Sequence, residues 1–101
     1  MRAAIEVDTA KLAELCRRYH VRRLSLFGSA VRNELGPESD LDFLIEFDPA
    51  GRPGIVDFYE LEQELSNLYG GRRVDLVNPK YLNRRIKDRV LAEAELQFAE
   101  G

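Results

Sequence analysis

The apolar and polar residues of this chain recur with helix and strand periods in separate segments. In the first segment, four residues spaced at i, i+3, i+4 and i+7 form one apolar face: Leu12, Leu15, Cys16 and Tyr19. This spacing predicts a helix that ends at about Tyr19. Asp8 or Thr9 is the expected N-cap, because a short side-chain oxygen there accepts a hydrogen bond from the first helical turn.

Apolar runs, alternation and glycine or proline breaks divide the remainder of the chain. The expected elements are a strand at residues 22–27, a short helix at Gly28-Ser29, strands at residues 41–47 and 73–77 on either side of a helix at residues 55–69, and a last helix at residues 80–98. We therefore expect an α/β chain of the α+β type. Its small mixed sheet of three main strands is flanked by helices, in the order α-β-α-β-α-β-α.

Two short motifs stand at the junction of the first and second strands. Gly28-Ser29 ends the first strand, and Asp40 and Asp42 begin the second after ten intervening residues. Residues two apart in a strand face the same way, about 6.6 Å apart along the backbone. Such a carboxylate pair suits two Mg²⁺ ions, which bind oxygen ligands and leave positions for substrate phosphates. If Gly28-Ser29 meets Asp40, the two strands must run antiparallel.

The Gly28-Ser29 turn is the expected anion site. A helix that begins at Ser29 directs unpaired N–H groups and the positive end of its dipole forward. Gly28 lets a phosphate approach the backbone because it has no Cβ. Arg32 is either a triphosphate contact or a solvated surface arginine. Helix capping and loop polarity would explain each motif alone, but the combination between two apolar strands favours a catalytic site.

Asp75 interrupts the apolar run of the third strand. A buried carboxylate without a partner costs several kcal/mol of stability, roughly, or stays protonated. A bound cation would remove this cost. An ion pair with Arg72 or Arg23 is the structural alternative.

These motifs resemble those of the nucleotidyltransferase superfamily that includes DNA polymerase beta, and within it the minimal nucleotidyltransferases. The residues that match are Gly28, Ser29, Arg32, Asp40, Asp42 and Asp75. The resemblance implies an enzyme that transfers AMP from ATP to a hydroxyl group, with two Mg²⁺ ions and with pyrophosphate as the leaving group. It assigns Asp40 and Asp42 to both ions. It assigns Asp75 to the ion beside the acceptor hydroxyl, and Gly28 and Ser29 to the β- and γ-phosphates.

The same resemblance implies a partner. Minimal nucleotidyltransferases are commonly encoded beside a HEPN-type ribonuclease toxin and act as its antitoxin, by adenylylating a tyrosine of the toxin. Two alternatives remain open. The chain could neutralise its partner by binding alone, or transfer AMP to a small molecule, although the latter normally needs an added substrate domain. An acidic cluster has no physical reason to persist at an idle site, which favours the enzyme.

The predicted last helix carries a wide apolar band, formed by Leu82, Ile86, Val90, Leu91, Ala94, Leu96 and Phe98. At 100° per residue this band covers more than half of the helix circumference, which is wider than one sheet face needs. We therefore expect a homo- or hetero-oligomer that forms through the C-terminal helix. Burial of the excess under the first helix is the alternative.

Chain length, net charge and cysteine count limit the class of protein to which this chain can belong. The 101 residues fit a single domain, residues 1–101, and the net charge of -3 argues against general nucleic-acid binding. Neither a membrane-spanning run nor a signal-peptide pattern is evident, so we expect a cytoplasmic protein. Cys16 is the only cysteine, which excludes an intrachain disulfide and indicates a small core residue.

Overall fold

A computed structural model describes residues 7–32, 34, 36 and 39–100. The α-helices in these ranges are α1 (Thr9–Arg18), α2 (Ile55–Leu68) and α3 (Arg84–Glu93). The strands are β1 (Val21–Phe27), β2 (Leu41–Phe47), β3 (Val74–Val77) and β4 (Glu95–Ala99). Single turns of 3-10 helix follow β1 at Gly28–Ala30 and β3 at Pro79–Tyr81.

Helix α1 begins where the sequence predicts. The Asp8 carboxylate accepts hydrogen bonds from the N–H groups of Ala10 and Lys11, at 3.0 and 3.1 Å. These bonds satisfy two of the donors that the first turn of a helix leaves unpaired. Cys16 is fully buried in the core, as predicted.

The four strands form one mixed sheet in the order β3-β2-β1-β4. Strand β1 pairs antiparallel with β2 on one side and with β4 on the other, and β2 pairs parallel with β3. The antiparallel pairing of β1 and β2 confirms the prediction from the two motifs. The mixed α/β class with a sheet flanked by helices is likewise confirmed.

One face of the sheet lies against α1 and α2. Its buried strand residues are Leu24, Leu26, Leu41, Phe43 and Ile45, and the helices contribute Leu12, Leu15, Cys16, Leu61 and Leu65. Because side chains alternate along a strand, Asp42, Leu44 and Glu46 point to the opposite face of β2. The main core therefore fixes the sheet and leaves the second face for the site.

The predicted last helix is wrong in its extent. After the 3-10 turn the chain is extended at Leu82, and the Asn83 side chain accepts the N–H of Arg85 at 2.8 Å to begin α3. Ala94 leaves the helical conformation with ψ at 140°. Residues 95–99 then pair with β1, because β1 would otherwise leave a row of unpaired backbone groups at the edge of the sheet.

This correction changes the predicted apolar band. Phe98 packs in the main core at 9% exposure, and Val90 is buried, so neither is a surface residue. Ile86 and Leu91 remain exposed on α3, at 41% and 45%. Only these two residues of the predicted band remain as candidates for contact with another chain through the helix.

Across the described ranges, the helices fall short of the length and apolar content that a membrane crossing requires.

Candidate active site

Gly28 and Asp42 lie against each other at the end of the β1–β2 pair. The register places Phe27, the last residue of β1, opposite Asp42, so the residue that follows the strand reaches the Asp42 side chain. Gly28 has φ +76°, and a Cβ at this position would lie 2.6 Å from Oδ2 of Asp42. Both the backbone conformation and the close approach therefore require glycine.

The chain turns tightly after Gly28. The N–H groups of Val31 and Arg32 donate to the Gly28 carbonyl oxygen, at 3.2 and 3.3 Å. The first hydrogen bond of the turn comes from Val31, so the N–H of Ser29 precedes the bonded turn. Ser29 is half-buried and follows Gly28 directly, and its predicted contact with a phosphate stays a prediction.

Asp75 lies directly across from Asp42. The parallel register pairs Asp42 of β2 with Asp75 of β3, so both side chains point to the same face of the sheet. Asp75 is exposed and Asp42 is half-buried. The expectation that Asp75 is buried within an apolar run is wrong, because β3 is an edge strand with its polar face open. Within the described residues, Asp75 forms no ion pair with Arg72 or Arg23.

The electrostatics of Asp42 reflect this arrangement. Burial raises its pKa, and the negative charges of Asp75 and then Asp40 raise it further. The positive charge of Arg32 acts in the opposite direction on the same pKa. Asp42 therefore experiences both other carboxylates at once, which is the effect that a bound cation would relieve.

Asp40 lies just before β2, and its carboxylate is turned toward Arg73. Nε of Arg73 and Oδ1 of Asp40 are 3.2 Å apart. With this side-chain arrangement, no three His, Cys, Asp or Glu residues of the described chain converge on one point as an ion's ligands would. The structure therefore aligns Asp42 with Asp75 and holds Asp40 aside by an exposed ion pair.

The residues present nevertheless fit a magnesium site. All the candidate ligands are carboxylates, the oxygen donors that Mg²⁺ prefers, and Mg²⁺ keeps several waters and substrate oxygens rather than an all-protein shell. Asp40 and Asp75 are exposed enough to rotate without disturbing the core. Gly28 lets the Asp42 carboxylate lie directly against the backbone of the turn.

Arg32 is exposed, and its side chain forms ion pairs with two carboxylates. Its guanidinium lies 3.0 Å from Glu34 and 2.9 Å from Glu93, the last residue of α3. Its charge still lowers the pKa of Asp42, so it lies within electrostatic range of the site. The predicted contact of Arg32 with a triphosphate stays a prediction, and it requires the guanidinium to leave at least one of these partners.

The carboxylates lie at an open end of the second sheet face, where Asp40 and Asp75 are exposed, whereas Leu44 further along β2 is buried on that face. A cavity of about 480 Å³ lies at the opposite end of β1, with Arg22 and Asp48 in its wall. A second, of about 390 Å³, is also remote from Asp42 and is lined by Gly51 and Asp57. Neither cavity is lined by Asp40, Asp42 or Asp75.

Sequence reasoning missed the contribution of residues 72–73. Arg72 donates from Nη1 to the carbonyl oxygens of Gly36 and Ser39, at 2.9 and 3.4 Å, and so holds the turn that precedes Asp40. The N–H of Leu41 donates to the carbonyl oxygen of Arg73 at 2.8 Å. Two consecutive arginines ahead of a short strand were the available signal, but their target depends on the β2–β3 register.

Comparison with known proteins identifies a matching family model, a similar protein sequence and solved structures of similar fold. A family model described as a nucleotidyltransferase domain matches residues 10–96. The protein adenylyltransferase MntA of Thermococcus cleftensis is 42% identical over 85 residues, which cover 84% of this chain and 83% of that protein.

Solved structures of low identity share the fold. One chain of a toxin–antitoxin crystal structure with AMP-PNP has a TM-score of 0.67 at 21% identity, over 93% of this chain and 75% of that one. A complex of the tri-AMPylated HEPN toxin of Shewanella oneidensis with an MNT antitoxin contains a chain with a TM-score of 0.58 at 20% identity. That match covers 91% of this chain and 70% of the other.

Proposed function

Because the chain belongs to the nucleotidyltransferase domain family, we propose that it transfers AMP from ATP to a protein hydroxyl group in a Mg²⁺-dependent reaction. Family membership confirms the enzyme class that the sequence predicts. The observation that carries the remainder of the proposal is the register of Asp42 with Asp75 beside Gly28, on the open face of the sheet.

Each residue of the site has a proposed part. Asp40 and Asp42 would hold two Mg²⁺ ions, with Asp75 as a further ligand on the acceptor side. When bound, Mg²⁺ neutralises the charge on the phosphate oxygens and on the oxygen that leaves. Ser29 and the backbone at Gly28 bind the β- and γ-phosphates, with Arg32 as a further contact once it is released from Glu93.

The transfer is a displacement at the α-phosphorus of ATP. The acceptor hydroxyl oxygen forms a bond to this phosphorus, and the bond from the phosphorus to the α–β bridging oxygen breaks. Pyrophosphate leaves with that electron pair. Asp75 accepts the hydroxyl proton, which is consistent with its exposed position opposite Asp42.

The acceptor we propose is a tyrosine of a HEPN-type toxin, so that the chain acts as an antitoxin. Two neighbours support this choice: the adenylyltransferase MntA, and the antitoxin that is bound to an AMPylated HEPN toxin. The exposure of Asp40 and Asp75 favours it too, because both carboxylates are accessible to a partner protein. Exposed Ile86 and Leu91 on α3 are the remaining residues of the predicted contact with a second chain.

ATP labelled at one phosphate tests this proposal. The chain is incubated with Mg²⁺ and with the HEPN-type protein encoded beside it, using ATP labelled at the α- or the γ-phosphate. We expect stable label on the partner from α-labelled ATP alone, and its loss when the acceptor tyrosine is changed to phenylalanine.

Label from the γ-phosphate would indicate phosphorylation and contradict AMP transfer. Binding of the toxin without any label, in Mg²⁺ and ATP, would favour the alternative of an antitoxin that acts by binding alone. EDTA removes Mg²⁺ and should abolish labelling, because without the metal the negative carboxylates repel the triphosphate of ATP.

A further inference from the structure

Four charged side chains form a square on the open face of the sheet. Asp42 lies in β2 with Asp40 just before that strand, and Asp75 lies in β3 with Arg73 just before it. The register Asp42–Asp75, together with the bond from the Leu41 N–H to the Arg73 carbonyl oxygen, places each pair opposite the other. Three corners of the square are negative and one is positive.

Arg73 is not needed to hold Asp40 in place. The turn before Asp40 is held by Arg72 through the carbonyl oxygens of Gly36 and Ser39. The start of β2 is held by the backbone bond between Leu41 and Arg73. The Arg73 side chain itself is 83% exposed, and its partner Asp40 is 47% exposed. Such a pair is weak and is readily exchanged.

We infer that Arg73 is a further nucleotide-binding residue, which neutralises Asp40 in the metal-free protein and moves to the triphosphate when Asp40 takes up Mg²⁺. This inference rests on the proposed function. Arg73 and Mg²⁺ compete for one carboxylate, so the guanidinium is released when the metal–nucleotide complex arrives. Its planar set of donors matches the oxygens of a phosphate, and the triphosphate brings such oxygens to the same face.

This exchange has opposite consequences for two ligands. Without nucleotide, Arg73 opposes a divalent cation, both by occupying Asp40 and by its own positive charge. With nucleotide, Arg73 adds a charge-assisted contact to the phosphates. A residue that merely supported the structure would affect both ligands in the same direction.

The test uses Arg73→Gln, which keeps the backbone bond to Leu41, and Arg22→Gln as the matched control. Arg22 carries the same charge but lies at the opposite end of β1, about 20 Å from Gly28 at strand spacing. Binding of Mn²⁺ alone is measured by the loss of its free-ion EPR signal. Binding of Mg²⁺–AMP-PNP is measured by calorimetry.

We expect Arg73→Gln to bind Mn²⁺ about two- to fivefold more tightly than the unchanged protein, the range for an exposed ion pair. We expect it to bind Mg²⁺–AMP-PNP about tenfold more weakly, as for a lost charged hydrogen bond. Arg22→Gln should change either affinity by less than about twofold, because salt screens a charge at that distance.

If Arg73→Gln and Arg22→Gln had the same affinities for Mn²⁺ and for Mg²⁺–AMP-PNP, the inference would be overturned and the proposed function would remain intact. Weaker binding of both ligands by Arg73→Gln would also overturn it, since Arg73 would then serve only to position Asp40. If the unchanged protein bound neither Mn²⁺ nor Mg²⁺–AMP-PNP, the proposed function would fail, and this inference with it.

Discussion

Gly28 is the residue of the site with the least freedom to change. Alanine there would be strained at φ +76°, and its Cβ would meet Oδ2 of Asp42 at 2.6 Å. We expect Gly28→Ala to lower the free energy of unfolding by about 1–2 kcal/mol, the cost of the left-handed conformation. It should also abolish binding of Mg²⁺–AMP-PNP. Urea denaturation and calorimetry measure the two effects.

The variant Gly70→Ala separates the effect of backbone strain from the effect of a contact with Asp42. Gly70 has φ +82°, but a Cβ there would meet no atom within 4 Å. It should lose a similar amount of stability and keep its nucleotide affinity. Nucleotide binding by Gly28→Ala at the unchanged affinity would show that the turn is not part of the site.

The pKa of Asp42 predicts how stability depends on pH. Because this pKa is raised in the folded protein, the folded state binds the proton more tightly than the unfolded chain. The carboxyl's contribution to stability therefore falls as pH rises above its ordinary value of 3.8. In EDTA, Asp42→Asn should melt at a higher temperature than the unchanged protein, with a gap that is small near about pH 4 and largest at neutral pH.

Asp57→Asn is the control, because Asp57 lies in the first turn of α2 and favours that helix end. It should give no gain in melting temperature. A pH-independent gap for Asp42→Asn would mean that neither burial nor the neighbouring carboxylates disfavour the charged form of Asp42.

A side chain of the site can be predicted from the sequence when the spacing of residues within one strand or turn is enough to place it there. Asp40, Asp42 and Gly28 follow from strand alternation and one turn. Asp75 stands out because it interrupts an apolar run, and the resemblance adds its role. Its predicted burial is wrong because exposure depends on which strand forms the edge of the sheet. The ion pair of Arg73 with Asp40 could not be predicted without the β2–β3 register.

Strand β4 is the element that sequence periodicity did not reveal. Leu96 and Phe98 fit the wide apolar band of a continued helix, and they fit the alternation of a strand about equally well. Pairing with β1 decides the outcome, because it satisfies backbone groups at an open edge. The helices and strands whose patterns had one period were predicted closely: β2 spans residues 41–47 as expected, and α2 ends one residue early.

Substitution in β4 tests this assignment. Phe98 packs in the main core at 9% exposure, whereas Leu96 in the same strand is 53% exposed. We expect Phe98→Ala to lower the free energy of unfolding by about 3 kcal/mol or more. Leu96→Ala should cost less than about 1 kcal/mol, since little of its surface is removed from water. Urea denaturation measures both, and equal losses would contradict the placement of Phe98 in the core.

For the whole molecule, Cys16 reports on opening of the core. It is fully buried, and burial raises its pKa to about 12. The thiolate is the reactive form, so a thiol reagent at neutral pH should label Cys16 only in molecules that have opened. Mg²⁺ and ATP at about 100 times the dissociation constant should slow labelling about 100-fold, because bound ligand stabilises the folded state by about 2.7 kcal/mol.

Two control incubations contain Mg²⁺ without ATP, or ATP with EDTA. Each should protect Cys16 from the thiol reagent less than Mg²⁺ and ATP together. Rapid labelling of the native protein would contradict the burial of Cys16. If Mg²⁺ and ATP left the labelling rate of Cys16 unchanged, the presence of a nucleotide site on this fold would be contradicted.

The central claim is that Asp75, opposite Asp42 on the open face of the sheet, works with the nucleotide-binding turn to transfer AMP. The rate of AMP transfer by Asp75→Asn tests it most directly, with Mg²⁺–AMP-PNP affinity measured on the same protein and Asp57→Asn as the control. Transfer should fall by more than about 100-fold, because changes to groups that only orient metal ligands already cost about 10–100-fold. Nucleotide affinity should persist, since Asp40 and Asp42 remain. Transfer at the unchanged rate by Asp75→Asn would contradict the account.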